Sequence, residues 1–120
     1  MTVVLVADDD QQLREIHELW LDQQDDWSVR TAPDGEEALA QMDERIDIVL
    51  LDRRMPRLSG DEAARTICST YPDCVIVMVS AFEPDSNVAD VDYDRYITKP
   101  TDRTSLLDAV RTELNQSQAA

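Results

Sequence analysis

At 120 residues and 42% hydrophobic side chains, the chain has the size and apolar content of one compact domain spanning residues 1–120. Eleven basic against 26 acidic side chains give a formal charge of -15, which repels phosphate backbones and anionic membrane surfaces and argues against direct nucleic-acid or membrane binding. The acids are 18 Asp to 8 Glu and the bases 10 Arg to a single Lys, a bias expected of a salt-loving organism, where ionic strength screens self-repulsion.

TVVLVA (Thr2 to Ala7) is a short apolar run rich in β-branched residues and reads as a strand buried on both faces. It ends in Asp8-Asp9-Asp10, of which Asp10 is best placed to cap the following helix. In that helix Leu13, Ile16 and Trp20 form the expected apolar stripe, and His17 reads as a partly exposed surface residue. Trp27, Val29 and Thr31 alternate with polar neighbours, as in a strand nearer the edge of a sheet. Asp34 with Glu37 has capping-box spacing at the head of a helix through Ala38, Leu39 and Met42.

IDIVLL (Ile46 to Leu51) is a third strand, ending at Asp52. Ser59 and Glu62 repeat the capping spacing before a helix to about Thr70. CVIVMV (Cys74 to Val79) is the most apolar strand and ends at Ser80. From Ala81 to Asp94 the pattern weakens, so any helix there, the fourth in the chain, is expected to be short. A brief strand at Arg95 to Thr98 leads into Lys99-Pro100 and a last helix from about Asp102, with Leu106, Val110 and Leu114 spaced by four; residues 116–120 read as a polar tail.

Strand and helix thus alternate five times, which predicts an α/β fold with a parallel sheet, helices on both faces and ligands outside the carboxyl ends of the strands. The residues that terminate the strands are Asp8-Asp9, Asp52, Ser80 and Lys99. Carboxylates crowded together repel one another unless a cation sits among them, and Mg²⁺, a hard ion with oxygen ligands, fits such a set. With a hydroxyl and a lysine, these are the parts of a phosphoryl-transfer site in which Asp52 is the natural nucleophile. Cys68 and Cys74, without a CxxC spacing or clustered histidines, signal neither zinc nor a disulfide framework. No apolar run approaches the ~20 residues of a membrane span and no signal peptide is visible, so a cytoplasmic location is expected.

Asp8-Asp9, Asp52 with Met55-Pro56 and Gly60, Ser80-Ala81, and Tyr96 with Lys99-Pro100 together resemble the receiver domain of two-component response regulators. The resemblance covers essentially the whole chain. It implies the CheY-like sheet of order 2-1-3-4-5, and a switch that accepts a phosphoryl group on Asp52 from a sensor histidine kinase or phosphotransfer protein. Mg²⁺ would be bound directly by Asp9, mainly through water by Asp8, and by Asp52 and the backbone carbonyl of Arg54. Ser80 and Lys99 would hold the phosphoryl group, and Tyr96 would turn inward when Ser80 moves. Such a protein is no enzyme beyond its own phosphorylation and dephosphorylation. A homodimer and a C-terminal output domain in a longer parent chain, with transcription as an output, also follow from the resemblance. The acidic composition and the DRRMP run are similar, more narrowly, to HalX-type receivers of halophilic archaea.

Only fifteen residues separate Ser80 from Tyr96, fewer than receivers usually have, and Asp92-Tyr93 replaces the common Gly-Ala step. Arg53 and Arg54 place two cations beside the candidate phosphoacceptor. One alternative is a phosphorylation-independent interaction module, but such modules tend to lose the acidic pair or the lysine. Another is an aspartyl-phosphate phosphatase of the haloacid-dehalogenase kind, which needs an aspartate where this chain has Arg54. The charge bias carries a prediction of its own: the melting temperature should rise between dilute buffer and molar KCl. A melting temperature that does not move would remove the salt-adapted reading.

Overall fold

In the computed structural model, which describes residues 1–81 and 92–118, five strands and four helices follow one another along the chain. They are β1 (Thr2–Ala7), α1 (Gln11–Asp22), β2 (Trp27–Ala32), α2 (Gly35–Gln41), β3 (Ile48–Leu51), α3 (Gly60–Thr70), β4 (Val75–Ser80), β5 (Arg95–Thr98) and α4 (Arg103–Gln118). The strands form one parallel sheet of order β2-β1-β3-β4-β5, as expected. The short helix expected between β4 and β5 falls mostly in residues 82–91, outside the described residues.

Alternation along the strands makes two cores. Leu5, Ala7, Val49, Leu51, Ile76 and Met78 face α2 and α3, meeting Ala38, Ala63, Ala64 and Ile67. Val4, Val6, Ile48, Leu50, Val77 and Val79 face α1 and α4, meeting Leu21, Leu106, Val110 and Leu114. Each fully buried Leu, Ile or Val contributes about 1.5–3 kcal/mol. A strand sandwiched this way must be apolar on both sides, which is why β1, β3 and β4 read as unbroken apolar runs.

The caps fall where the spacing placed them. Asp10 accepts hydrogen bonds from the Gln12 and Leu13 amides (3.0 and 3.2 Å), Asp34 from Glu37 (2.8 Å), and Ser59 from Glu62 (3.2 Å). Asp102 does the same for Ser105 at 2.7 Å at the head of α4. Such caps satisfy amides that have no partner inside the helix.

Two expectations for α1 are corrected. Ile16 is 41% exposed, and the buried positions of α1 are His17 and Leu21, so the inward stripe runs through Leu13, His17 and Leu21. The helix carries apolar side chains on more than one side, and the face that meets the sheet is turned by one residue from the one the apolar periodicity favours. His17 is therefore an interior residue, 3% exposed, with its ring 5.4 Å from that of Trp20. Burial lowers its pKa, with Lys99 acting in the same direction and Asp8 opposing. At the other terminus α4 continues to Gln118, three residues into the polar tail expected from residue 116, because no glycine or proline interrupts it.

Two close backbone approaches hold the segment after β3. A side chain at Gly60 would collide with the carbonyl of Asp52 and the Cα of Arg53, and one at Gly35 with the carbonyl of Leu58. Neither glycine has a positive φ, so both are needed for space and not for handedness. Because the obstacles at Gly60 are backbone atoms, no rotamer change relieves them. Gly60→Ala should therefore lower stability by about 1–3 kcal/mol, a downward shift of about 4 °C per kcal/mol in thermal denaturation. An unchanged melting temperature would mean that the loop has slack.

Candidate functional site

The register of the sheet decides which side chains meet. Ala7 lies opposite both Ala32 and Leu51, Leu51 opposite Met78, and Ser80 opposite Thr98, so the strands finish level with one another. The residues just beyond are pinned by one more rung of backbone hydrogen bonds. Asp8 donates to Ala32 O (3.1 Å), Asp52 to Ala7 O (3.0 Å) and Lys99 to Ser80 O (2.6 Å). Asp8, Asp52, Ser80 and Lys99 are thereby fixed at one end of the sheet by main-chain geometry.

Oxygens of Asp8, Asp9 and Asp52 all lie within 4.8 Å of one another, the only candidate metal-holding group among the described residues. Asp8 and Asp52 are buried and Asp9 is exposed. The Lys99 ammonium enters the group, 2.7 Å from Asp8 Oδ2 and 3.5 Å from Asp52 Oδ2. Its closest partner is thus Asp8. Asp8 also accepts from the Asp10 amide through its side chain (2.9 Å), and its carbonyl accepts from Arg14 (2.8 Å), so it is the most tethered of the three.

Burial pushes the Asp52 carboxyl up to about 6, and the negative charges of Asp8 and Asp9 add to that rise. Lys99 and the Arg54 amide, which donates to the carboxylate, act against it. Two carboxylates and a third at risk of protonation, with no sulfur or imidazole in the set, make a donor group suited to a hard divalent cation such as Mg²⁺. The residues present therefore fit the metal that the sequence implied.

Ser80 is the last residue of β4 and fully buried. Tyr96 is half-buried on β5, opposite Met78 and edge-on to Tyr93 at 5.6 Å. The two arginines beside Asp52 are divided. Arg54 is exposed, whereas Arg53 is 7% exposed and turned inward onto Asp61 and Tyr96. Sequence reasoning passed over Asp61, since nothing in the spacing says that the loop folds α3's first turn back onto the residue after Asp52.

Residues 4–111 match the family described as the response regulator receiver domain. The chain belongs to that family. The receiver is 40% identical over 115 residues to a Haloferax volcanii protein provisionally named a transcriptional regulator, covering 96% of this chain and 20% of that one. It is 30% identical over 119 residues to the transcriptional regulatory protein CpxR of Klebsiella pneumoniae, covering 98% and 51%. The receiver thus spans about a fifth to a half of these relatives. Among solved structures, a CheY-like receiver from Methanospirillum hungatei superposes with a TM-score of 0.92 at 22% identity, covering 99% of this chain and 98% of that one. The Thermotoga maritima regulator TrrA, solved with Mg²⁺ and beryllofluoride, gives 0.82 at 30% identity, covering 93% and 98%. The receiver is the phosphoacceptor switch of two-component systems.

The raised Asp52 pKa predicts a stability change with a definite sign. A carboxyl whose folded pKa lies above its unfolded value of 3.8 destabilises the fold once ionised, so the cost is absent below about pH 4 and grows until the pH passes about 6. Asp52→Asn should then stabilise the metal-free protein at neutral pH by about 1–2 kcal/mol, the full shift at 1.36 kcal/mol per unit being reduced by solvent screening. The gap should close toward pH 4, as measured by denaturation across pH. A gap independent of pH would show that Asp52 is not the strained carboxylate.

Proposed function

We propose that Asp52 is the phosphoacceptor of this receiver, with Asp8 and Asp9 holding Mg²⁺ and with Ser80 and Lys99 binding the phosphoryl group. The observation that supports it is the convergence at one sheet end of Asp52 and two further carboxylates within 4.8 Å of one another, with the Lys99 ammonium 2.7 Å from Asp8 and 3.5 Å from Asp52. In the reaction a carboxylate oxygen of Asp52 attacks phosphorus as the bond from phosphorus to the donor breaks. The donor's histidine nitrogen, or the acetate of acetyl phosphate, departs with that bond's electron pair. Mg²⁺ supplies charge neutralisation when bound, and the backbone carbonyl of Arg54 completes its protein ligands.

The chain's own residues do the rest. The backbone rungs at Asp8, Asp52 and Lys99 keep the nucleophile and its cation in place before the donor arrives. Lys99, a compact ammonium, exchanges its Asp8 partner for a phosphoryl oxygen. Ser80 then moves onto the phosphoryl group and Tyr96 turns inward. A shift from mostly inactive to mostly active needs up to about 5.5 kcal/mol of differential interaction.

The physiological donor is a sensor histidine kinase or phosphotransfer protein in the cytoplasm, and the output domain lies in a longer parent chain or in a partner. The greater length of the Haloferax and Klebsiella relatives supports that placement, and their names support transcription as the output; a homodimer as the active form completes the proposal. The acid-rich, lysine-poor composition and the Haloferax relative support a haloarchaeal regulator, with the HalX type as the narrower proposal.

Incubation with acetyl phosphate and Mg²⁺ at high salt, followed by intact-mass measurement, tests the assignment. One phosphoryl adduct should form on the parent and none on Asp52→Asn or after chelation of the metal. An adduct that survives in Asp52→Asn, or never forms on the parent, would sink it.

A further inference from the structure

Arg53, directly after Asp52, is a charged side chain in an interior position. Its Nε and Nη2 donate to the two oxygens of Asp61 at 2.9 and 3.0 Å, a forked pair that fixes the guanidinium in plane and direction. The third nitrogen, Nη1, lies 3.4 Å from the hydroxyl of Tyr96. At that length the bond is weaker than one at 2.9 Å, but the group that makes it is held by two others. The main chain of Arg53 is anchored as well, since its carbonyl accepts from the Gly60 amide at 2.8 Å.

Arg53 therefore connects three places: the residue after Asp52, the first turn of α3, and the aromatic on β5 three residues before Lys99. With both its backbone and its side chain tied to α3, it is a stiff connection. The Tyr96 ring also meets that of Tyr93, edge-on at 5.6 Å and 65°. Lysine could keep the charge and reach Asp61, but a single ammonium cannot fork onto a carboxylate and also present a donor in a fixed direction to a hydroxyl.

We propose that Arg53 is a positioning residue for the switch, its Asp61-locked guanidinium holding the Tyr96 hydroxyl and biasing the aromatic toward the orientation described here. The proposal rests on the reading of Asp52 as phosphoacceptor and Tyr96 as the moving aromatic. With this orientation as the resting one, Arg53 sets the threshold of the switch, because a ligand that draws Tyr96 away from it works against this contact. Removing the contact raises the population of the other state, and affinity for a phosphoryl mimic rises with it.

The test uses the full chain labelled with 3-fluorotyrosine, in which Tyr71, Tyr93 and Tyr96 give three ¹⁹F resonances and Tyr96→Phe identifies one of them. In the unmodified, metal-free protein, Arg53→Lys and Arg53→Met should both move the Tyr96 resonance toward its position in beryllofluoride-treated parent. Their affinity for beryllofluoride with Mg²⁺ should rise at least twofold. A Tyr96 resonance that stays at the parent position in folded Arg53→Lys overturns the proposal. Where loss of the arginine prevents folding, Tyr96→Phe removes only the hydroxyl and should give the same gain in affinity, and an unchanged affinity overturns the proposal equally. If the parent takes neither beryllofluoride nor phosphate, the phosphoacceptor reading fails, while the metal-free ¹⁹F comparison of Arg53→Lys with the parent still reports whether Arg53 holds Tyr96.

Discussion

Three carboxylates within 4.8 Å at the end of a buried sheet repel one another, and the rest of the site is arranged around that repulsion. The Lys99 ammonium offsets part of it by lying 2.7 Å from Asp8. What remains adds to the effect of burial, which is the main cause of the raised pKa of Asp52. The strain cannot relax by moving the acids apart, because Asp8 and Asp52 are held by backbone bonds that continue the parallel ladder. A sheet that ends in register thus stores the electrostatic tension that a divalent cation or a change of partner for Lys99 would release.

The loop after Asp52 is fixed for the same reason. Gly60 brings the start of α3 against the Asp52 carbonyl, and Arg53 ties the adjacent main chain to α3 through Gly60 and Asp61. Arg57, with a positive φ of 70°, reaches across to Asp34 and Glu36 at 3.7 and 3.8 Å on the far side. Those ion pairs, long and with the Arg57 end exposed, are worth little singly. The space at Gly60 and the buried fork of Arg53 carry more, the first because backbone atoms close it and the second because two charge-assisted hydrogen bonds hold it away from solvent.

Much of this could be read from the residues in order. Unbroken apolar runs such as CVIVMV mark strands covered on both faces, and an acidic or hydroxyl residue three before Glu marks helix starts at Asp34 and Ser59. Once the strands were parallel, Asp8, Asp52, Ser80 and Lys99 had to meet. What could not be read depended on rotation and on loop path. α1 carries Leu13, Ile16, Leu19, Trp20 and Leu21, enough apolar surface for more than one inward face, and only the sheet decides that His17 is the residue enclosed. Arg53 and Arg54 look alike in the chain, yet successive residues leaving a strand point to opposite sides, so one is buried on Asp61 and the other faces solvent. Local spacing has no term for either effect.

The replacement of nearly every lysine by arginine has a practical consequence for the chemistry of the surface. Within these 120 residues the one side-chain amine is the ε-amino group of Lys99, whose side chain is 12% exposed. An acylating or reductive-methylating reagent that ignores guanidinium groups has a single side-chain address in this domain, and it lies between Asp8 and Asp52. The 2.7 Å contact with Asp8 and the low exposure of the side chain shield that nitrogen, so the rate of its modification would report on whether the partnership is intact. A composition with ten arginines and one lysine has left the domain with its own built-in reporter.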